Sequence, residues 1–183
     1  MTREQRRAQL LDIARRIIRS NGANELTLGR LAQEAGVAKP VVYNHFGTRS
    51  GLLVALYAEY NDRQNTMLRE ALDHASPALE ANAEVIATSY IDCVLQEGTE
   101  MPGVSGALAG SPELDALKRE CQAAWMAICR DVLVPFGKAP IQPARLWAVV
   151  GAAEALSNAA AAGELAADEA RGELKRIVMT MLR

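Results

Sequence analysis

Apolar residues return at three- and four-residue steps from one end of this chain to the other. Leu10, Ile13, Ala14, Ile17 and Ile18 do so near the start, and Ala170, Leu174, Ile177, Val178 and Met181 near the finish. That is the repeat of a helix buried on one side, and a strand would alternate instead. Aromatic residues make up only 4% of the chain although half of it is apolar. The core must therefore be assembled from Ala, Leu, Val and Ile, which suits packed helices better than a sheet sandwich. The expected fold class is all-α, with about nine helices. A chain of 183 residues can hold a small head joined to a larger body.

Helix boundaries are marked by local chemistry. Thr2 followed by Gln5 reads as a capping box, and Ser20-Asn21-Gly22 ends the first helix. Thr27 caps a short second helix with Leu28, Leu31, Ala32 and Ala35 inward, terminated at Gly36, where a left-handed backbone is cheap. A third short helix fits Lys39 to His45, with Pro40 in its first turn. Further on, Thr48 or Ser50 caps a helix running to about His74, and Ser76-Pro77 opens one that lasts to about Gln96, before a stop at Gly98. Residues 98–111 read as a loose connector with at most one short helix, around Ser105 to Ala109. Ser111-Pro112 starts a helix ending near Pro135, Pro143 starts one reaching about Ala162, and Ala167 to Leu182 closes the chain.

Charge divides unevenly along this pattern. Residues 1–50 carry nine Lys/Arg against four Asp/Glu, whereas residues 51–183 carry eleven against eighteen. A basic head on an acidic body is the footprint of nucleic-acid binding, although charge alone also suits an anionic membrane surface. Arg3, Arg6, Arg7, Arg15, Arg16 and Arg19 share the polar side of the first helix, as either a solvated face or a phosphate-facing rim. Enzyme signatures are missing: there is no phosphate-cradling Gly-rich loop, no H-E-x-x-H and no G-x-S-x-G. His45 and His74 lie in no ligand cluster, so neither metal nor cofactor is expected. Cys93, Cys121 and Cys129 form no C-x-x-C pair. With an odd cysteine count and no secretory leader, the expectation is a soluble cytoplasmic protein.

Two short helices joined by a glycine-containing turn and preceded by a packing helix form a helix-turn-helix. In the third helix Val42 and Phe46 lie four apart and can plug the core, which leaves Pro40, Val41 and Asn44 on another face. That face offers chemistry for base edges. Asn44 can pair with adenine, Lys39 can donate to guanine, and Pro40 or Val41 can meet a thymine methyl.

The stretch from Ala14 to Leu53 resembles the tetracycline-repressor (TetR) family of bacterial regulators. The matching residues are Ala14, Ile17, Gly22, Thr27, Leu31-Ala32, Ala35-Gly36-Val37, Tyr43, His45-Phe46, Arg49 and Leu52-Leu53. The sequence departs from the family pattern in having Arg49 for a lysine, Ser50 for an acid, Ile18 for an aromatic and Gly29 for a polar residue. The resemblance implies that Thr27, Tyr43, His45 and Arg49 hold phosphates. It also implies a DNA-binding domain over residues 1–47 and an effector-binding and dimerisation domain over residues 48–183. A homodimer would read a palindromic operator and respond to a small-molecule effector.

For that effector the candidates are Tyr90, Cys93, Met101, Cys121, Trp125, Met126 and Trp147, all large or adaptable apolar groups. The last two long helices are the expected dimer surface. There Ala152, Ala155, Ala159 and Ala160 permit close approach, and Leu156, Leu174, Ile177 and Met181 add apolar area; packing within one subunit is the alternative. Glu154 suits an interface, a cationic effector or plain solvent. Cys121 and Cys129 are eight residues apart, roughly 12 Å along one helix, and cannot bridge each other.

Overall fold

A computed structural model describes residues 1–96, 100–107 and 110–182, with the side chains of 100–102 and 105 outside that description. The described residues form nine α-helices and no strand. They are α1 (Arg3–Asn21), α2 (Leu28–Glu34), α3 (Lys39–Phe46), α4 (Arg49–Asp73), α5 (Leu79–Gln96), α6 (Glu100–Ala107), α7 (Pro112–Leu133), α8 (Pro143–Ala161) and α9 (Ala167–Thr180). Single 3-10 turns at Ala23–Glu25 and Val134–Phe136 follow α1 and α7.

Most boundaries arise from the expected chemistry. Thr2 accepts a hydrogen bond from the Gln5 amide at 3.1 Å, and the Gln5 side chain in turn accepts one from the Thr2 amide at 2.8 Å. Of the two candidate caps for α4, Thr48 is used: its hydroxyl oxygen accepts from the Gly51 N–H at 3.0 Å. The connector holds a difference. Instead of a short helix from Ser105 to Ala109, α6 begins at Glu100 and ends at Ala107. Pro102 falls in its first turn, where a missing N–H is harmless, so the proline that suggested a loop instead sits inside a helix start. Gly98 and Ala109 lie outside the described residues.

The chain packs as two compact units, Met1–Asn61 with Thr99–Lys118, and Asp62–Gly98 with Arg119–Arg183. This division differs from one at residue 47, because the first unit also takes the opening of α4 and the segment around α6. The first unit is sealed by Leu10, Leu11, Ala14, Leu26, Leu31, Val42, Leu52, Leu53, Val104 and Leu114, each at most 1% exposed. Burying one such leucine contributes about 1.5–3 kcal/mol, so a short α2 is held by its neighbours more than by its own backbone bonds. In the second unit α5, α7, α8 and α9 share a core that includes Ile86, Ile91, Trp125, Ile128, Leu133, Val150, Leu174 and Val178. Arg171 ties α9 to Asp92 of α5, and Lys175 reaches both Glu80 and Glu84.

Candidate nucleic-acid interface

The turn between α2 and α3 is built from backbone bonds. Gly36 takes φ of +63°, a left-handed conformation that a side chain would strain, and the Val37 N–H turns back to the Ala32 carbonyl at 3.0 Å. The chain then leaves in extended form through Ala38 and enters α3 with Pro40 in the first turn. On α3 the inward residues are Val42, fully buried, and Phe46 at 8% exposure. Lys39, Pro40, Tyr43 and Asn44 are exposed, Tyr43 by 51%, and Val41 and His45 are half-buried at the edges of that face.

The start of α2 adjoins this face. Thr27 is exposed, and its hydroxyl oxygen accepts from the Arg30 amide at 3.1 Å, which leaves the O–H proton to donate outward. Gly29 leaves room above α2 for Lys39. A Cβ added at Gly29 would stand 3.8 Å from the Lys39 Cε and 4.0 Å from the Thr27 hydroxyl oxygen. Lys39 thus arches over the position where a polar contact residue was missing from α2.

Arg49, expected to hold a phosphate, has internal partners: its Nε donates to the Leu26 carbonyl and its Nη2 to the Ala23 carbonyl, both at 2.7 Å. A guanidinium fork can span two carbonyls where an ammonium would meet one, so arginine in place of lysine permits this brace. The carbonyls lie 23 and 26 residues back along the chain, and no local sequence signal links them to Arg49. The same 3-10 turn is touched by α6, where a Cβ on Gly103 would meet the Ala23 Cβ at 3.4 Å.

Other arginines are also engaged internally. Arg15 pairs with Glu59 at 2.7 Å and Asp12 at 3.0 Å, and although burial works against its charge these partners hold its pKa above the usual value. Arg30 bonds Glu25 and Asn21. His45 is held below the ordinary histidine range, first by burial and then by the charges of Arg3, Arg7 and Arg6.

The effector candidates are not all brought together. Tyr90 and Trp125 meet edge to face at 5.2 Å between ring centroids, and Met126 packs against the same core. Cys93 and Cys121 are half-buried. Burial, chiefly, with Asp62 and Glu120 nearby, pushes the Cys121 thiol up to about 11, while burial alone raises Cys129 further. Trp147 departs from this group and stands 49% exposed on the outer side of α8. Met101 falls within α6, and its side chain lies outside the described residues. Glu154 is exposed and accepts from the Gln122 amide at 2.7 Å, a pairing that sequence spacing could not reveal. Among the described residues no group of three His, Cys, Asp or Glu side chains could hold a metal ion. Nor is any described helix long and apolar enough to cross a membrane.

The expected dimer surface also needs revision. Leu174 is fully buried and Met181 is 6% exposed, both inside the core of their own subunit. The amphipathic stripe of α9 is used internally, so these two cannot face a partner.

Residues 10–56 match the family model described as bacterial regulatory proteins, tetR family. That match covers less than half of the chain, and over it the residues are similar to the head of that family. The matched residues include α2, α3 and the turn between them. Among curated TetR-family relatives, the transcriptional activator FasR of Mycolicibacterium smegmatis is 33% identical over 72 residues, covering 39% of this chain and 33% of FasR. The match thus spans about a third of that relative's length. A putative TetR-family regulator from Rhodococcus sp. superposes with a TM-score of 0.76 at 20% identity, over 98% of this chain and all of the other. FadR of Bacillus subtilis, solved with stearoyl-CoA, gives 0.70 at 15% identity over 96% and 97% of the two chains. At these identities the solved structures establish a shared all-helical fold and nothing more.

Proposed function

We propose that this chain is a transcriptional repressor that binds a palindromic operator as a homodimer through residues 1–47 and is released when residues 48–183 take up a small molecule. The observation that carries the reading is the outer face of α3, where Lys39, Pro40, Tyr43 and Asn44 are exposed together while Val42 and Phe46 anchor the helix behind them. Side chains so placed suit a major groove. In this reading Thr27, Tyr43 and His45 hold backbone phosphates, whereas Lys39, Pro40, Val41 and Asn44 meet base edges. Arg49 acts one step back, bracing the head through the Ala23 and Leu26 carbonyls.

Asn44→Ala and Tyr43→Ala separate the two kinds of contact. Asn44→Ala is expected to lose roughly 1–3 kcal/mol on a selected operator and little on random duplex, because only a base contact disappears. Tyr43→Ala should weaken both to a similar degree. Titrations of both duplexes decide, and equal losses for Asn44→Ala on each would remove it from base reading.

A single helix-turn-helix touches few groups on a duplex, which supports pairing about a twofold axis. The outer row of α8 suits that role, with Ala144, Trp147, Ala148, Gly151, Ala155 and Asn158 all exposed at helical spacing. Trp147→Arg is therefore expected to shift the protein from dimer to monomer in analytical sedimentation without loss of helix content. A dimer unchanged by the substitution would put the interface elsewhere. The effector is proposed to enter beside Tyr90, Cys93, Cys121, Trp125 and Met126, a mainly apolar set, and to act by binding one of two head spacings more tightly than the other. FadR's stearoyl-CoA supports a small-molecule role for such a body, while FasR, similar over 72 residues, is an activator and so of the opposite sign of regulation.

A further inference from the structure

The first turns of α1 lie against the last turn of α3. The Arg7 guanidinium carbon stands 6.0 Å from the centroid of the Phe46 ring, which in turn lies 6.0 Å from the His45 ring. Arg3, Arg6 and Arg7 all bear electrostatically on His45, so the three cations crowd the same end of α3. The capping box of Thr2 and Gln5 closes the first turn of α1, and these arginines therefore project from formed helix.

What they do not do is pair internally. Among the described residues no carboxylate forms an ion pair with Arg3, Arg6 or Arg7, and Arg6 donates only to the Gln9 side chain, at 2.6 Å. Arg15 on the same helix has two carboxylate partners. Three like charges with no carboxylate in ion-pair contact repel one another and, after burial, depress protonation of the neighbouring His45, a cost that an external polyanion would relieve. A lipid surface fits less well. Membrane-lying helices interleave exposed apolar side chains with their basic ones, whereas Leu10, Leu11, Ile13, Ile17 and Ile18 of α1 are all buried in the head. The exposed residues in the first two turns of α1 are Arg3, Glu4, Gln5, Arg7 and Ala8, with no large apolar side chain among them.

We propose that Arg3, Arg6 and Arg7 form a second phosphate-binding edge that carries duplex contact past the helix-turn-helix onto the backbone flanking the segment faced by α3. The edge rests on the DNA-binding reading above and adds sequence-independent affinity to it. Its signature is ionic. Every phosphate that a substitution frees from the protein lowers the log–log salt slope of binding by about 0.9.

The test uses the full chain with a long mixed-sequence duplex, a series trimmed from the ends, and vesicles of phosphatidylserine and phosphatidylcholine. Arg3→Gln should reduce the salt slope by about 1, and the triple variant R3Q/R6Q/R7Q by roughly 2–3. Trimming the flanks should weaken the wild type and leave the triple variant nearly unaffected. Arg3 has no internal partner, so its substitution keeps the fold, and an unchanged thermal midpoint checks this. A slope unaltered in both variants overturns the proposal, as does equal sensitivity to trimming with and without the arginines. Vesicle binding that depends on these arginines while the duplex slope does not would overturn it in favour of lipid. A wild type that binds no duplex at all would instead sink the DNA-binding reading itself.

Discussion

Gly51→Ala is expected to destabilise the protein by about 1–3 kcal/mol, the reverse of what the same change does at an ordinary helical glycine. A Cβ at Gly51 would run into the carbonyl oxygen of Phe46, with the Phe46 carbonyl carbon at 3.4 Å and the Thr48 hydroxyl oxygen at 3.5 Å. That carbonyl already accepts from the Thr48 N–H at 2.7 Å, so it cannot swing aside without opening the junction between α3 and α4. Gly172 of α9 provides the matched control, since nothing stands within 4 Å of a Cβ added there. Gly172→Ala should stabilise by about 0.5–1 kcal/mol, as relief of glycine's backbone entropy normally does. Urea unfolding of the two variants measures the contrast. Stabilisation at both positions would mean that α4 does not start hard against the end of α3.

Arg49→Ala is expected to cost roughly 2–4 kcal/mol, because two charge-assisted bonds disappear and the Leu26 carbonyl loses its donor, while the Ala23 carbonyl keeps only the Leu26 N–H at 3.2 Å. A domain stabilised by about 5–15 kcal/mol in total would feel this as a large fall in its unfolding midpoint. Arg49→Lys should recover part of the loss, since an ammonium on a shorter reach can serve one carbonyl. DNA binding separates the brace from a phosphate ligand. At a temperature where wild type and variant are both folded, the salt slope for Arg49→Ala should match the wild type, because the guanidinium points at carbonyls. A slope lower by about 1, with little change in stability, would return Arg49 to the phosphates.

The contrast between these two residues and the rest of the head shows what a sequence carries openly. Caps such as Thr2 and Thr27 act within three residues, and the turn at Gly36 is fixed by one left-handed backbone, so each could be read where it stands. The plug of Val42 and Phe46 against an exposed Asn44 followed from helical spacing alone. The role of Arg49 did not, because its acceptors are backbone atoms more than twenty residues away. Of six arginines on one face of α1, only folding separated Arg15, held by Glu59 and Asp12, from the trio at the helix start.

In the body the ambiguity was of another kind. An amphipathic stripe states that Leu174 and Met181 seek apolar surroundings but not whose, and the subunit's own core proved to supply them. Trp147 was grouped with Trp125 by residue type, yet α8 turns Val149, Val150 and Ala153 inward and leaves Trp147 outside. The segment of α6 read as loop because Pro102, Gly103 and Gly106 lower helix propensity, a preference that tertiary packing overrode. Gly103 even serves that packing by admitting Ala23 closely.

Selection of bound sequences from a random duplex pool tests the central claim most directly, namely that the exposed face of α3 reads DNA in pairs. The account predicts enrichment of a twofold-symmetric site whose half-sites are centred about 34 Å or a multiple apart, with Asn44→Ala relaxing one base position in each half. A pool that emerges without enrichment, or whose recovered sites are indifferent to substitutions at Lys39 and Asn44, would contradict it.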